Sequence, residues 1–165
     1  MNGARELGVA VAAVAAAGLV GARNGPQRPL TGLWYAMLRK PGFTPPGPVI
    51  GVAWTTLEVL LVITGYRLLR ARHTPERGVA LGAWLATLGG LAGYPLTFFR
   101  QKRLALSAGV SGAMLASATG LALAARKVDR PAAAMTAPLL VWLVFATVTS
   151  EEIWRDNRLL PQHRS

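Results

Sequence analysis

The sequence contains no cysteine and only two histidines among its 165 residues. The absence of cysteine excludes disulfide bonds, thiolate catalysis and metal sites built from cysteine. His73 and His163 lie outside the long apolar segments, so we expect no histidine ligand to a metal within a bundle of those segments. Acidic residues are also scarce, with seven Asp and Glu against eighteen Lys and Arg, and the formal net charge is +11.

The placement of the basic residues indicates a membrane surface, rather than a nucleic acid, as their partner. They occur at the ends of apolar segments and between them, where cations bind lipid headgroups and set the orientation of a membrane protein. We therefore expect membrane lipid as a partner and no nucleic acid. The main groups are Arg67, Arg70, Arg72 and Arg77; Arg100, Lys102 and Arg103; and Arg126, Lys127 and Arg130.

Long apolar runs dominate the rest of the chain. Hydrophobic residues make up 52% of it, and the mean hydropathy is +0.36. Five segments are close to the ~20 residues that a helix needs to span the hydrocarbon core of a bilayer. They predict an all-α, integral, multi-pass membrane protein, with one domain over residues 1–165 folded as a five-transmembrane-helix bundle. The predicted segments are about residues 7–22, 48–69, 78–99, 104–125 and 131–153.

The first apolar segment and the loop that follows it have distinct signals. Arg5 before the segment, and small residues near its end, also fit a cleaved signal peptide, so two interpretations stay open. The loop, residues 23–47, contains a short amphipathic stretch, GLWYAMLRK, and prolines that stop helices. We expect a long, structured first loop that forms a lid over the bundle. The prolines are Pro26, Pro29, Pro41, Pro45 and Pro46.

The third apolar segment carries small residues at four-residue spacing. Gly82, Ala86 and Gly90 share one helix face, and small residues let two helices approach closely in lipid. This pattern predicts a homodimer through these three positions. Packing within a single bundle explains the pattern equally well.

Two groups of motifs resemble a known membrane protein family. The first loop and second segment read LWYAMLRKPGFTPPGPVIGVAWTTLE, and the fifth segment contains APLLVWLVFAT followed by IWRDN. In this order, over about residues 31–157, they resemble the TspO/MBR family, which comprises the tryptophan-rich sensory proteins and the translocator proteins. The five segments and the long first loop agree with that resemblance.

The resemblance implies a five-helix membrane bundle, often a dimer, with the first segment retained. It also implies a pocket beneath the first loop for a hydrophobic small molecule. That ligand would be a porphyrin or other tetrapyrrole, haem included, or a lipid-like molecule such as cholesterol, in a sensory or transport role. The implied ligand-binding positions are Trp34, Tyr35, Phe43, Pro45, Trp54, Leu91, Tyr94, Phe98, Leu139, Trp142, Phe145 and Ser150.

Several positions depart from the family pattern. Glu58 stands where the second span of the family usually has Tyr. In the third span, Leu91 and Tyr94 replace the usual Asn and Trp. In the fifth span, Leu139 replaces a Tyr, and Thr149–Ser150 replace a Leu-Asn pair. Several polar contacts of the family pocket are therefore absent, and a carboxyl group has been added.

Glu58 is the main candidate for unusual chemistry, because it lies near the middle of the second segment. It follows Trp54 by four residues, so both side chains share one helix face. An acid at the centre of a span costs roughly 2.5–3.5 kcal/mol on insertion scales. We expect the carboxyl to be protonated and able to donate a proton. In the alternative interpretation, Thr55, Thr56 or a backbone carbonyl holds Glu58 as a packing contact.

Two functions of different classes follow. The first is a receptor that binds its ligand through shape and stacking on aromatic faces, without covalent chemistry. The second is a membrane-embedded enzyme, in which Glu58 is the general acid and Glu151 or Glu152 the base. Such an enzyme would isomerise or cyclise an apolar polyene, epoxide or polyketide, with Trp54 and Trp142 shielding positive charge. The two acids of the fifth segment also fit a solvated position near the membrane interface.

Overall fold

The computed structural model describes residues 3–27 and 29–158, which contain helices and no strand. Five long helices are apolar enough to cross a membrane, so the predicted all-α five-helix bundle is confirmed. A short helix, α2, lies in the first loop, and another, α6, leads into the last long helix. The helices are α1 Gly3–Arg23, α2 Pro29–Met37, α3 Gly47–Arg70, α4 Pro75–Pro95, α5 Leu104–Val128, α6 Arg130–Met135 and α7 Ala137–Asn157.

The five spans form a single bundle. Helix α1 packs against both α3 and α4, α4 packs along α5, and α5 packs along α7. A 21-residue helix such as α7 is about 31 Å long at 1.5 Å per residue, which matches the hydrocarbon thickness of a bilayer. Helix α4 continues without a break into a π-helical segment, Leu96–Arg100. Helices α3 and α7 meet through the side chains of Trp54 and Trp142.

The outer surface of the bundle is apolar. Val52, Val79, Leu123 and Val141 are all more than half exposed, although they lie within the long helices. In water such exposure would be costly, whereas lipid tails cover these side chains without penalty. The surface therefore fits a multi-pass membrane protein.

We call the end of the bundle at which α3 meets α4 and α5 meets α6 the clasp end. An ion pair and a helix cap stabilise this end. Arg67 donates two hydrogen bonds to the Asp129 carboxylate, at 2.9 and 3.0 Å. Asp129 also accepts the backbone N–H of Ala132 at 2.7 Å and so caps α6. Burial raises the pKa of Asp129, but the bonds from Arg67 and Ala132 outweigh burial and hold that pKa below its usual value. Arg77 donates to the carbonyl oxygens of Leu68 and Leu69 in the last turn of α3.

Glycines set the closest approaches between the helices. A Cβ atom on Gly65 of α3 would collide with the Trp84 ring of α4, and one on Gly90 would lie 2.7 Å from Cγ of Met114 in α5. Gly90 therefore packs inside one bundle. Gly82 and Ala86 are exposed, and a Cβ atom on Gly82 would meet nothing within 4 Å. The homodimer through this face stays a prediction, with Gly82 and Ala86 as its available positions.

Candidate functional site

The first loop is anchored at the end of the bundle opposite the clasp end. We call residues 24–27 and 29–46 the lid and this end the lid end. Asn157, at the end of α7, is 1% exposed. Its Oδ1 accepts the backbone N–H of Arg39 at 3.0 Å, and its Nδ2 donates to the Arg39 carbonyl at 2.8 Å. One buried amide thus pairs with both backbone groups of a lid residue and ties the lid to α7.

Lys40 shapes the lid from within. Its ammonium group donates to the carbonyl oxygens of Tyr35 at 2.7 Å and Leu38 at 3.2 Å, which satisfies the C-terminal end of α2. The same group lies 4.6 Å from the centre of the Tyr35 ring. Burial raises the pKa of Tyr35, so its phenol stays protonated and able to donate a hydrogen bond. The lid is therefore a structured element, as the sequence predicts.

Four aromatic side chains form what we call the α3–α7 aromatic cluster. Trp54 and Trp142 meet edge to face, with ring centres 6.2 Å apart, and link α3 to α7. Trp142 contacts Phe145 at 5.5 Å, and Phe43 of the lid contacts Phe145 at 6.0 Å. Trp54, Trp142 and Phe145 are partly exposed, while Phe43 is 53% exposed. The lid therefore contributes one ring to a surface that α3 and α7 build.

A second aromatic cluster joins the lid to the end of α4, and we call it the α2–α4 aromatic cluster. Phe98 is 2% exposed and contacts Trp34 at 5.8 Å and Tyr35 at 6.0 Å. Tyr94 stacks on Phe98 at 5.5 Å, and its hydroxyl lies 2.8 Å from Oγ of Ser150 on α7. This cluster is more buried than the α3–α7 aromatic cluster, and it supports the lid rather than offering open ring faces.

Two buried polar atoms beside the α3–α7 aromatic cluster have no hydrogen-bond partner within the described residues. They are the indole Nε1 of Trp142 and the hydroxyl of Thr44, next to Phe43 in the lid. By contrast, the buried indole of Trp84 donates to the Leu61 carbonyl at 3.0 Å. Buried donors without partners are rare in folded proteins and call for an explanation. A bound molecule with a hydrogen-bond acceptor would supply one.

Glu58 points toward α1 rather than into the α3–α7 aromatic cluster. A Cβ atom on Gly18 of α1 would lie 3.0 Å from Oε1 of Glu58, so the missing side chain leaves room for the carboxyl group. Thr55 and Thr56 donate to carbonyls of their own helix and do not hold Glu58. In residues 3–27 and 29–158, the half-buried Glu58 carboxyl has no ion-pair partner within 4.0 Å.

The acids of the fifth span lie at the surface of the lid end. Glu151 accepts a hydrogen bond from Arg155 at 2.6 Å, and Glu152 lies 4.0 Å from the same guanidinium. Their side chains are 45% and 42% exposed. Both therefore occupy the solvated position that the sequence left open, and neither lies beside Glu58 in a shared cluster.

Three other predicted site residues pack elsewhere. Leu91 and Leu139 are buried in the core of the bundle, and Pro45 is a half-buried residue of the lid. His73 lies at the clasp end, where Arg77 contacts its Nδ1 at 3.0 Å, and His163 lies outside the described residues. Within the described ranges, no three His, Asp or Glu side chains group as a metal site would require.

Sequence reasoning missed the roles of Gly18, Thr44 and Asn157. Asn157 belongs to the IWRDN motif, but the motif alone does not indicate that its amide holds the lid. Thr44 has no sequence signal beyond its place among prolines. Gly18 is one of several small residues in an alanine-rich helix, and only the structure places it against Glu58.

Comparisons with known proteins identify the family of the chain. The profile of the TspO/MBR family matches residues 9–155 of the chain. The chain is 30% identical to "Translocator protein" of Ovis aries, over 76% of this chain and 75% of that one. It is 30% identical to "Protein CrtK" of Rhodobacter capsulatus, over 88% of each chain. It is also 30% identical to "Tryptophan-rich sensory protein" of Cereibacter sphaeroides, over 80% of this chain and 82% of that one.

Proposed function

Since the chain belongs to the TspO/MBR family, we propose that it binds a flat, apolar ligand of the porphyrin or tetrapyrrole type beneath its lid. The site is the α3–α7 aromatic cluster, and the role is sensory or transport. A relative of similar length is named a tryptophan-rich sensory protein, and others are named translocator proteins. Those names motivate the role proposed for this chain.

The observation that carries the proposal is the unpaired indole N–H of Trp142. This donor is buried beside partly exposed aromatic rings, where water has little access. Leaving such a donor without a partner costs about 1–3 kcal/mol. A ligand that stacks on the rings and places an acceptor near Nε1 removes that cost. The Thr44 hydroxyl offers a second donor from the lid side.

The residues present fit a tetrapyrrole through stacking and hydrogen bonding. Trp54, Trp142 and Phe145 provide ring faces, and the exposed Arg39 on the lid offers a cation to carboxylate tails. Of the two histidines, His73 lies at the far end of the bundle and His163 lies outside the described residues. We therefore propose that the porphyrin ring, rather than a bound iron, is what the described site recognises.

Titration of the full chain in detergent micelles with protoporphyrin tests the proposal, with the Soret band as the signal. We expect a saturable, one-to-one shift for the wild type. Trp54→Leu removes one ring face and should weaken binding about tenfold, since an aromatic contact contributes about 1 kcal/mol or more. Leu85→Ala, on the outer surface, is the matched control and should bind like the wild type. An unsaturable shift, or equal affinity in Trp54→Leu, contradicts the proposal.

A second candidate function rests on the Glu58 carboxyl. It is half-buried in a membrane span, lies one helical turn from Trp54 and has no ion-pair partner among the described residues. As a general acid, Glu58 would protonate an alkene or epoxide oxygen of an apolar substrate. A base would then remove a proton from carbon, so that the net reaction is an isomerisation or cyclisation. Glu151 and Glu152 are exposed and paired with Arg155, which favours the binding function.

The isosteric variant Glu58→Gln distinguishes the two candidates. The full chain would be incubated with polyenes and terpenoid epoxides, and the products separated by mass. The enzyme candidate requires conversion by the wild type and at least a ~100-fold loss in Glu58→Gln, the usual size of a general-acid effect. The binding function requires that Glu58→Gln binds protoporphyrin within about twofold of the wild type. Full turnover by the amide variant would remove Glu58 as the acid.

A further inference from the structure

An open, basic groove lies at the lid end, outside the α3–α7 aromatic cluster. Its larger part has a volume of about 710 Å³, between the end of α1 and the end of the third span. A smaller part, of about 130 Å³, extends from it toward Phe99 and Lys102. Both parts share the same four lining residues, which are Arg23, Asn24, Gly25 and Arg100. We call these residues, with Lys102, the basic groove.

Among the described residues, three cations and no carboxylate line the groove. Arg23, Arg100 and Lys102 contribute positive charge, and within residues 3–27 and 29–158 none of them forms an ion pair. Arg100 donates a hydrogen bond to the side-chain oxygen of Asn24 at 3.3 Å, which holds its guanidinium at the groove. Three like charges in one concavity repel one another, and an anion placed between them relieves that repulsion.

Three cations elsewhere in the structure have partners within the chain. Arg67 pairs with Asp129, Arg155 pairs with Glu151, and Arg77 donates to two backbone carbonyls. Arg23 and Arg100 do lie in the last turns of their helices, where a cation complements the helix dipole. That effect needs neither the concavity nor Lys102.

The backbone at Lys102 adopts a rarely populated conformation, and the residue lines the groove. Lys102 has a φ of 54°, which lies in the left-handed region that residues other than Gly and Asn rarely occupy. It follows the π-helical segment Leu96–Arg100, and hydrogen bonds from Gln101 and Arg103 back to that segment hold the turn. The turn places the Lys102 ammonium 5.5 Å from the centre of the Trp34 ring, beside Phe99. Backbone strain of this kind is concentrated at functional sites.

We propose that the basic groove binds a phosphate oxyanion, supplied by the headgroup of an anionic membrane lipid. Arg23 ends the first span and Arg100 the third, so both lie at the depth of lipid headgroups. Two guanidinium groups suit bidentate binding of phosphate oxygens, and the ammonium adds a point charge. Val20 and Ala22 form an apolar side of the groove, against which the start of an acyl chain can lie. The proposal does not depend on porphyrin binding.

Native mass spectrometry of the full chain tests this site. The protein is prepared with either phosphatidylglycerol or phosphatidylcholine, and the two lipids have the same acyl chains. We expect the wild type to retain one phosphatidylglycerol at concentrations where phosphatidylcholine dissociates. Arg100→Lys keeps the charge but loses the guanidinium fork, and should weaken retention about threefold. Lys102→Asn suits the left-handed backbone and removes the ammonium, and should weaken retention about tenfold.

Two matched triple variants distinguish binding at the groove from an effect of the overall positive charge. Arg23→Gln/Arg100→Gln/Lys102→Gln should lose the preference for phosphatidylglycerol. Arg126→Gln/Lys127→Gln/Arg130→Gln removes the same charge at the clasp end and should keep it. Equal loss in both triple variants, or no preference in the wild type, overturns the proposal. Protoporphyrin affinity should stay unchanged in the first triple variant.

Inorganic phosphate identifies the source of the anion. Millimolar phosphate in lipid-free micelles should raise the unfolding temperature less than phosphatidylglycerol does, because the groove also contacts the lipid tail. If phosphate alone gives the full rise, and the groove variants abolish it, the site binds a free anion and the lipid assignment is wrong. A rise that the groove variants leave intact contradicts the site itself.

Discussion

The Arg67–Asp129 pair at the clasp end and the basic groove at the lid end differ in how their charges are paired. At the clasp end, Asp129 pairs with Arg67 and caps α6, and Arg77 satisfies the last carbonyls of α3. In the α3–α7 aromatic cluster and the lid, Trp142 and Thr44 keep buried polar atoms without partners among the described residues, as Glu6 and Thr64 do elsewhere. The three cations of the basic groove also lack carboxylate partners in the described part of the chain.

This difference separates structural polar contacts from those available for binding. Both ends carry Arg side chains and lie at a membrane surface, so composition alone does not distinguish them. What differs is the pairing of charges, since Arg67 and Arg77 have partners within the chain, whereas the three cations of the basic groove have no carboxylate partner among the described residues. The basic groove offers cations, and the α3–α7 aromatic cluster offers a donor, to a molecule from outside. Both lie beside a lid that the Asn157 amide and the α2–α4 aromatic cluster hold in place.

The largest expected effect is a loss of stability when packing is broken near the clasp end. Gly65→Ala places a methyl group into the ring of the buried Trp84. We expect a loss of about 3 kcal/mol in the free energy of unfolding, at the upper end of overpacking costs. Thermal unfolding in micelles measures this loss. Gly82→Ala is the control, because its methyl group meets open space, and it should unfold like the wild type.

The lid anchor gives the next largest effect, at the other end of the molecule. Asn157→Ala leaves both backbone groups of Arg39 without their partner. We expect a loss of about 2 kcal/mol and at least tenfold faster tryptic cleavage after Arg39, because the lid opens more often. Thr119→Ala is the control, since that exposed hydroxyl donates only within its own helix, far from the lid. Equal cleavage rates in both variants would show that Asn157 does not hold the lid.

A smaller effect, with a defined pH dependence, is expected at the Arg67–Asp129 pair. The folded pKa of Asp129 lies below its unfolded value, so the pair stabilises the fold above the unfolded pKa. That stability is lost as the pH falls through the folded pKa. Because Arg67 is 37% exposed, we expect Asp129→Asn to cost only about 1 kcal/mol near pH 7.

The unfolding temperature measured between about pH 2 and pH 7 checks this expectation. The wild type should lose stability on acidification, and the difference from Asp129→Asn should shrink toward the acid end. A difference that stays constant over the whole range would mean that the Asp129 charge contributes nothing.

Much of the fold follows from the sequence, because lipid leaves an apolar run of about twenty residues few options other than a helix. The five spans and the structured lid are therefore predictable from hydropathy and proline placement. The break between α6 and α7 at Thr136 is not, since it interrupts a continuous uncharged run. Helix boundaries also extend beyond the predicted ones, as in α1, which begins at Gly3.

The site is less predictable, because spacing gives a helix face but not the neighbour of that face. Trp54 and Glu58 share a face, yet Trp54 meets Trp142 of α7 while Glu58 lies against Gly18 of α1. The family resemblance indicates Trp142 but not that its indole N–H lacks a partner. That property depends on where every nearby acceptor lies, which only the folded chain determines.

The most direct measurement of the central claim compares two tryptophans whose indole N–H groups are both buried. Protoporphyrin affinity and unfolding temperature would be measured for Trp142→Phe and Trp84→Phe. The Trp142 donor is unpaired, and the Trp84 donor bonds to Leu61. We predict that Trp142→Phe weakens porphyrin binding about fivefold to tenfold without lowering the unfolding temperature, whereas Trp84→Phe lowers that temperature and leaves affinity unchanged. Wild-type affinity in Trp142→Phe would contradict the account.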